Sequence, residues 1–394
     1  AQIVQWLIAP GAMVRACDVV VILEAMKMEH EVRATHDARV TELFYAAGEQ
    51  VAEGDMLLNY EHAAHITRGL GADLALKPEP DAVPAASGVR ADLQKLLDRQ
   101  ALTLDASRPE AVAKRHAQGM RTARENLADL CDAGSFMEYG ALAVAAQRSR
   151  RSEEDLIQNT PADGMVTGIG SVNGQRIVAM AYDATVLAGT QGMRNHQKTD
   201  RMLGLALQNK LPVVLFAEGG GGRPGDVDMP IVAGLHVATF ASFARLNGQV
   251  PVVGIAAGRC FAGNAALLGC SDVIIATKNS NIGMGGPAMV EGGGLGVFKP
   301  EQIGPAGVQH GNGVIDILVD DEAQAVAAAK HYLSFFQGPT SQWTAPSEQA
   351  LRDVVPENRL RVYDTRAAMA GIADVGSLLE LRTGFGLGIH TALA

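Results

Sequence analysis

The apolar residues of the first sixty positions form short strand-like runs, and the runs repeat: Ile3 to Val21 re-reads 37 positions later as Val40 to Leu58. Gly11-Ala12-Met13-Val14 with Cys17-Asp18-Val19-Val20 becomes Gly48-Glu49-Gln50-Val51 with Gly54-Asp55-Met56-Leu57. Strand pairs that each turn at a glycine and an aspartate predict a small sandwich with approximate two-fold symmetry. The segment Glu24-Ala25-Met26-Lys27-Met28-Glu29 falls in the connection between the halves. Where the second half has Gly54 before Asp55, the first has Cys17 before Asp18. A turn that needs φ > 0 strains a cysteine there by about 1 kcal/mol, a cost the fold is expected to tolerate.

From Glu61 to Arg90 the pattern stops, and Lys77 to Gly88 is rich in proline and alanine, as in a linker. As a flexible coil it spans about 30 Å r.m.s. and at most about 100 Å extended, enough for a swinging tether. Helical spacing returns at Asp92–Gln100 and Glu110–Leu130. Strands are predicted at Met165–Ile169, Arg176–Tyr182, Pro212–Ala217, Pro251–Ile255 and Asp272–Ala276, with helices between or after them at Gln197–Asn209, Ile231–Asn247, Asn264–Leu268 and Asp321–Phe336. Apolar strands alternating with helices describe an α/β layered domain. Pro339–Pro356 reads as a second break, and 357–394 begins something new with a strand at Leu360–Tyr363.

Composition narrows the partners. The net charge of −10, without a basic patch interleaved with aromatics, argues against nucleic acid or an anionic membrane. No uncharged apolar run approaches the roughly 20 residues of a membrane helix. The four cysteines (Cys17, Cys131, Cys260, Cys270) lack metal-ligand spacing, no metal site is expected, and no secretory signal opens the chain; a reducing cytoplasm is the expected location. The chain opens on Ala1-Gln2-Ile3 inside a strand pattern and closes within an unfinished element, so a fragment of a longer polypeptide is expected.

The glycine excess is local. Gly219, Gly220, Gly221 and Gly222 follow a buried strand directly, which lets backbone N–H groups approach a ligand. The run lacks the Gly-Lys-Ser/Thr ending of a phosphate loop and the Gly-x-Gly-x-x-Gly spacing, and alone reads equally as a plain loop. Gly258 to Gly269 places small residues at a helix start, where free N–H donors can form an oxyanion hole. Gly283-Met284-Gly285-Gly286-Pro287, with Gly292 to Gly294, is expected to line the same cleft. His196, His236 and His310 are read as ordinary hydrogen-bonded histidines, and no Ser/His/Asp or paired-carboxylate arrangement stands out.

Ala25-Met26-Lys27-Met28, set in a two-fold repeat, resembles the biotinyl carrier domain of biotin-dependent carboxylases; lipoyl domains share the symmetry but usually carry Asp-Lys-Ala at the turn. The resemblance implies biotin in amide linkage to Lys27, with Ala25, Met26 and Met28 as recognition residues. Residues 120–394 resemble the carboxyltransferase part of acyl-CoA carboxylases, through Asp183 to Gly192, the glycines after Glu218, Ala262-Gly263-Asn264-Ala265, Gly283 to Pro287, and Ile303 to Ala323. The implied architecture is multidomain: an all-β biotinyl/lipoyl barrel-sandwich at 1–60, a linker at 61–90, an α/β ClpP/crotonase-like carboxyltransferase domain at 91–356, and the start of the C-terminal transferase domain at 357–394.

The resemblance further implies transfer of CO₂ from carboxybiotin on Lys27 to the α-carbon of an acyl-CoA. The thioester enolate would be held by the N–H groups of Gly263 and Asn264, and Gly219 to Gly222, Gly285 and Gly286 would shape the acyl-CoA loops. The family more often has Gly-Gly where this chain has Gly263-Asn264. The leaving biotin ureido anion can take the α-proton, so no side-chain base is required. ATP, Mg²⁺ and bicarbonate would act only through a biotin carboxylase part, and a biotin protein ligase would attach the cofactor. The expected assembly is a homo-oligomer, from a dimer of transferase domains up to a hexamer, and carrier plus transferase in one chain suggests the single-chain long-chain type. A biotin-dependent decarboxylase or transcarboxylase, or a non-catalytic carrier scaffold, are the alternatives.

Overall fold

The chain divides into two units, Ala1–Ser87 and Gly88–Ala394, and the computed structural model describes residues 1–25, 28–62, 89–228 and 237–394. The first unit contains β1 (Gln2–Trp6), β2 (Met13–Val14), β3 (Val19–Ala25), β4 (Met28–Arg33), β5 (Ala38–Leu43) and β6 (Leu58–His62). They form two three-stranded sheets, β1-β3-β4 and β2-β5-β6. The repeat is visible in single hydrogen bonds. Gly11 N–H donates to the Val40 carbonyl and, 37 residues on, Gly48 N–H donates to the Ile3 carbonyl, each at 2.7 Å. Ile3 and Val40, the equivalent apolar positions, are both buried in the same core. The turn aspartates also match: Asp18 accepts from Arg15 N–H at 2.8 Å and Asp55 from Ala52 N–H at 2.7 Å.

Cys17 has φ 75° and its counterpart Gly54 has φ 95°, so the cysteine occupies the left-handed region that its turn requires. At the other end of the unit Ala25 pairs with Met28 across β3 and β4. Met26 and Lys27, between them, lie outside the described residues.

The second unit holds helices α1 (Ala91–Ala101), α2 (Pro109–His116), α3 (Ala123–Leu130), α4 (Glu153–Asn159), α5 (Met193–Asn209) and α6 (Thr239–Ala244). Later come α7 (Gly263–Leu268), α8 (Pro287–Gly292), α9 (Ala306–Gly311), α10 (Glu322–Ser334), α11 (Glu348–Val354) and α12 (Thr365–Ile372). Its strands are β7 (Met137–Tyr139), β8 (Met165–Val172), β9 (Gln175–Tyr182), β10 (Val213–Phe216), β11 (Val252–Ala256), β12 (Arg259–Phe261), β13 (Val273–Thr277), β14 (Asn281–Gly283), β15 (Ile317–Val319), β16 (Leu379–Leu381) and β17 (Thr391–Leu393). Seven make one sheet in the order β15-β13-β11-β10-β9-β8-β7. From β9 to β15 the neighbours run parallel, while β7 and β8 add antiparallel pairs at one edge.

β10 and β11 are buried along their whole length, which is why they read as unbroken apolar runs. One apolar cluster joins the sheet to Met202, Leu203 and Ala206 of α5, Phe243 of α6 and Leu267 and Leu268 of α7. The other joins it to Leu127 and Leu130 of α3 and Val326, Ala329 and Leu333 of α10. The sheet is thus covered on both faces by helices, the layered α/β arrangement expected.

Three expected elements differ. Glu110–Leu130 is two helices, because Gly119 turns at φ 70° and Thr122 starts α3 in a capping box with Glu125. Leu360–Tyr363 is no strand: Leu360 and Val362 are 93% and 98% exposed and pair with no described strand. Pro339–Pro356 is not a plain break, since it carries α11. Of the helix expected at Ile231–Asn247, residues 231–236 lie outside the described residues, and the helical part observed is α6. The β16–β17 hairpin places Leu379, Leu381 and Leu393 against the α3/α10 cluster, so these residues pack on this unit's own core.

Candidate active site

The site is assembled at the carboxyl ends of the parallel strands, where open α/β sheets bind ligands. After β9, β10 and β11 the backbone runs on into a second, smaller layer. Gln191 N–H donates to the Gly221 carbonyl at 2.7 Å, Gly219 N–H to Arg259 at 2.7 Å, Phe261 N–H to Gly219 at 2.9 Å, and Ala262 N–H to Gly283 at 2.9 Å. Four chain segments, 189–192, 219–223, 259–262 and 281–283, are laced side by side. The spacing is tightest at particular glycines. A Cβ on Gly219 would lie 2.0 Å from the Gly189 carbonyl oxygen, and one on Gly263 would lie 2.1 Å from Gln191 Oε1.

Beside this layer opens a cleft of about 760 Å³, lined by α2, the 184–188 turn, Gly219, Gly220, Gly258, Arg259 and Phe261, with Pro287, Pro300 and Glu301 at its rim. Its wall carries a two-pronged ion pair: Arg115 Nη1 donates to Glu218 Oε1 at 2.6 Å and Nη2 to Oε2. Burial disfavours the Arg115 cation, but the hydrogen bonds and charge of Glu218, with Glu322 and Asp183 beyond, reverse the balance and hold its pKa above the usual value. Gly258 makes this possible, since a Cβ there would sit 2.3 Å from Glu218 Oε1. A second pair, Arg108 Nη2 to Asp183 Oδ2 at 2.8 Å, fixes the turn that bears Ala184 and Thr185.

The start of α7 borders the glycine run. Ala262 precedes it at φ 52°, a costly position for a non-glycine residue. Among the described residues the N–H groups of Gly263 and Asn264 have no hydrogen-bond acceptor, as first-turn helix donors do not. The Asn264 side chain is fully buried: Nδ2 donates to the carbonyls of Gly189 and Glu218, both at 3.2 Å, and Oδ1 accepts from Gly221 N–H at 2.9 Å.

Next to Gln191 and Gly222 lies a buried polar network. Arg223 donates to Asp163 Oδ1, to the Thr190 carbonyl at 2.9 Å and to Asp226 at 3.4 Å. His196 Nδ1 lies 3.0 Å from Thr239 Oγ1, whose own proton goes to Asp200. The imidazole therefore donates from Nδ1. Burial, reinforced by the Arg223 charge and opposed by Asp226, pushes its pKa down to about 4, so it is neutral at ordinary pH. Burial likewise pushes Lys198 down to about 8; its ammonium donates to the carbonyls of Ala162 and Met165.

Of the glycines singled out in the sequence, Gly219 and Gly220 line the cleft; Gly221 and Gly222 continue the laced layer away from it. Gly285 and Gly286 precede α8, and of the Gly283–Pro287 cluster Pro287 reaches the cleft lining. Gly263 and Asn264 open α7. His196 and His310 are hydrogen-bonded as expected, His310 to Thr383 at 3.2 Å; His236 lies outside the described residues. Sequence reading missed Arg115, Glu218, Gln191 and the Asn264 amide. Arg115 and Glu218 are 103 residues apart, and no local pattern joins them.

Comparison with known proteins decides the family. A model of the carboxyl transferase domain matches residues 114–394. The chain belongs to the carboxyl transferase family. Residues 1–59 also match a model described as biotin-requiring enzyme, so this transferase carries a biotin/lipoyl-type domain in the same chain. The methylmalonyl-CoA carboxyltransferase 12S subunit of Propionibacterium freudenreichii subsp. shermanii is 30% identical over 320 residues, covering 78% of this chain and 60% of the relative. The biotin-dependent long chain acyl-coenzyme A carboxylase beta4 subunit of Mycobacterium tuberculosis is 28% identical over 320 residues, 77% of this chain and 58% of the relative.

Among solved structures, a single-chain, multi-domain long-chain acyl-CoA carboxylase is similar over 100% of this chain and 37% of its own, with TM-score 0.74 and 53% identity. The transcarboxylase 12S hexamer with hydrolysed methylmalonyl-coenzyme A is similar over 78% of this chain and 60% of its own, with TM-score 0.66 and 29% identity. The carboxyl transferase thus spans about 60% of the relatives it matches.

Proposed function

We propose that this carboxyl transferase moves a carboxyl group between biotin on Lys27 and the α-carbon of an acyl-CoA, acting as a biotin-dependent acyl-CoA carboxylase. The observation that carries the reading is a cleft of about 760 Å³ at the carboxyl ends of the parallel strands, lined by Gly219 and Gly220, with first-turn N–H groups at Gly263 and Asn264 that have no acceptor among the described residues. Carboxylation at an α-carbon needs an enolate oxygen to be stabilised, and two fixed N–H donors supply that without a metal; loss of one donor typically costs about 10²–10³ in rate. Gly219 and Gly220 let the thioester approach the backbone, and Gly285 and Gly286 shape the edge near α8. The cleft, bounded by α2 and the 184–188 turn, takes the coenzyme A thioester.

The first unit fits the cofactor. Ala25 and Met28 pair across β3 and β4, and Lys27, between them in sequence, supplies the amine for the amide linkage. Bound biotin supplies an activated carboxyl group. Residues 61–90 join carrier 1–60 to transferase 91–356, with 357–394 opening the C-terminal transferase domain, and joining carrier and transferase in one chain raises the effective concentration of biotin at the site.

The same reading includes a biotin protein ligase, a biotin carboxylase that uses ATP, Mg²⁺ and bicarbonate, a homo-oligomer and a cytoplasmic location. Among the described residues no helix is long and apolar enough to cross a membrane. A decarboxylase or transcarboxylase remains the second reading, favoured by the 30% likeness to a carboxyltransferase subunit. Intact mass after co-expression with a biotin protein ligase tests the carrier. A gain of one biotin that vanishes in Lys27→Arg is expected; an unmodified wild type would overturn it.

A further inference from the structure

We infer that the Asn264 side chain is a positioning group for the enolate-binding donors, clamping the loops after β9 and β10 to the start of α7 and so fixing the N–H groups of Gly263 and Asn264. The inference rests on the carboxyl-transfer reading. One amide ties the Gly189 carbonyl, the Glu218 carbonyl and the Gly221 N–H, at 3.2, 3.2 and 2.9 Å. These three groups belong to the loops after β9 and β10, while Asn264 itself belongs to the helix after β11.

The clamp acts where positions matter most. Gly219 packs so closely that a Cβ there would lie 2.0 Å from the Gly189 oxygen and 2.9 Å from Asn264 Nδ2. A Cβ on Gly221 would lie 2.6 Å from Ala262 Cβ and 3.3 Å from the Gly263 nitrogen. Any slip of the 219–221 segment therefore reaches the first donor of α7 directly. Ala262, held at φ 52° between the two, gains from relaxing unless its neighbours forbid it. Glycine at 264 leaves the backbone donor in place but supplies no clamp. The Asn264 amide offers both the two donor hydrogens and the acceptor that this junction needs, and its burial keeps water from substituting for it.

A displacement of about 1 Å at a reacting group can cost 10²-fold in rate. Asn264→Ala should thus lower kcat for carboxyl transfer in the biotinylated protein by about 10²-fold, with KM for acyl-CoA within about threefold, since Asn264 itself does not line the cleft and the Arg115–Glu218 pair still holds its wall. A kcat within threefold of wild type, or a loss carried by KM, would overturn the inference. If Asn264→Ala does not fold, Asn264→Asp decides. Its carboxylate keeps the Gly221 bond but faces two carbonyls, and only the protonated acid can donate to one of them, so its kcat relative to wild type should rise as pH falls. A ratio independent of pH would overturn the clamp. Wild type measured alongside separates the two claims: no transfer by biotinylated wild type sinks the carboxyl-transfer reading, whereas normal transfer by both proteins sinks the clamp alone.

Discussion

Gly54 in the carrier unit and Gly263 in the transferase unit resist substitution for opposite reasons. Around Gly54 there is open space and only the backbone angle, φ 95°, favours glycine. Gly263 has no such angle, but a Cβ on it would run into Gln191 Oε1. The first requirement is local, and the chain itself shows it can be relaxed: Cys17 occupies the equivalent turn at φ 75°. The second is imposed by a residue 72 positions away in the chain: any side chain at 263 must displace the Gln191 amide, which is itself held by Tyr182. A local backbone angle sets the carrier turn; a long-range fit sets the transferase site.

The largest expected consequence concerns a long-range pair. Glu218→Ala leaves Arg115 buried without its partner, which typically costs about 3–5 kcal/mol; urea unfolding of the second unit should show a clear drop in midpoint, and an unchanged midpoint would mean that the pair is solvated. Gly263→Ala keeps its N–H but its added methyl meets Gln191 Oε1, and the resulting shift of the donor should reduce carboxyl transfer by about 10²-fold, while its carrier is still biotinylated. Near-normal turnover in that variant would erase the contrast with Gly54.

His196 sets a pH-dependent effect of intermediate size. Its ordinary pKa is 6.5 and the folded value is about 4, so its contribution is present above pH 6.5 and is lost as pH falls from 6.5 to 4, at most about 3 kcal/mol. His196→Gln should flatten the stability curve over that window, and parallel curves would show that the ring is not buried neutral. Smallest is Cys17→Gly, expected to stabilise the carrier unit by about 1 kcal/mol or less by removing left-handed strain. Thermal unfolding of that unit checks it, and destabilisation would show that the Cys17 side chain contributes something the turn geometry does not reveal.

The same local-versus-distant divide explains what could be read from sequence. The carrier was legible because its symmetry repeats every 37 residues in sequence, and the Gly11/Val40 and Gly48/Ile3 bonds follow from it. The strands β8 to β11 and β13 were legible as apolar runs. Arg115 with Glu218, Asp163 with Arg223, and the Asn264 amide were not, because each joins segments 43 to 103 residues apart. Leu360–Tyr363 misled because an apolar run does not specify a pairing partner. The small ribbon of β12 and β14, three residues each, is too short for periodicity to show.

The most direct test is carboxyl transfer in reverse: incubate the biotinylated protein with a carboxyl-labelled malonyl-type CoA thioester and measure label on the protein. The account predicts label on wild type, none on Lys27→Arg, and slow labelling of Gly263→Ala. Rapid labelling of Gly263→Ala, or label that persists in Lys27→Arg, would contradict it.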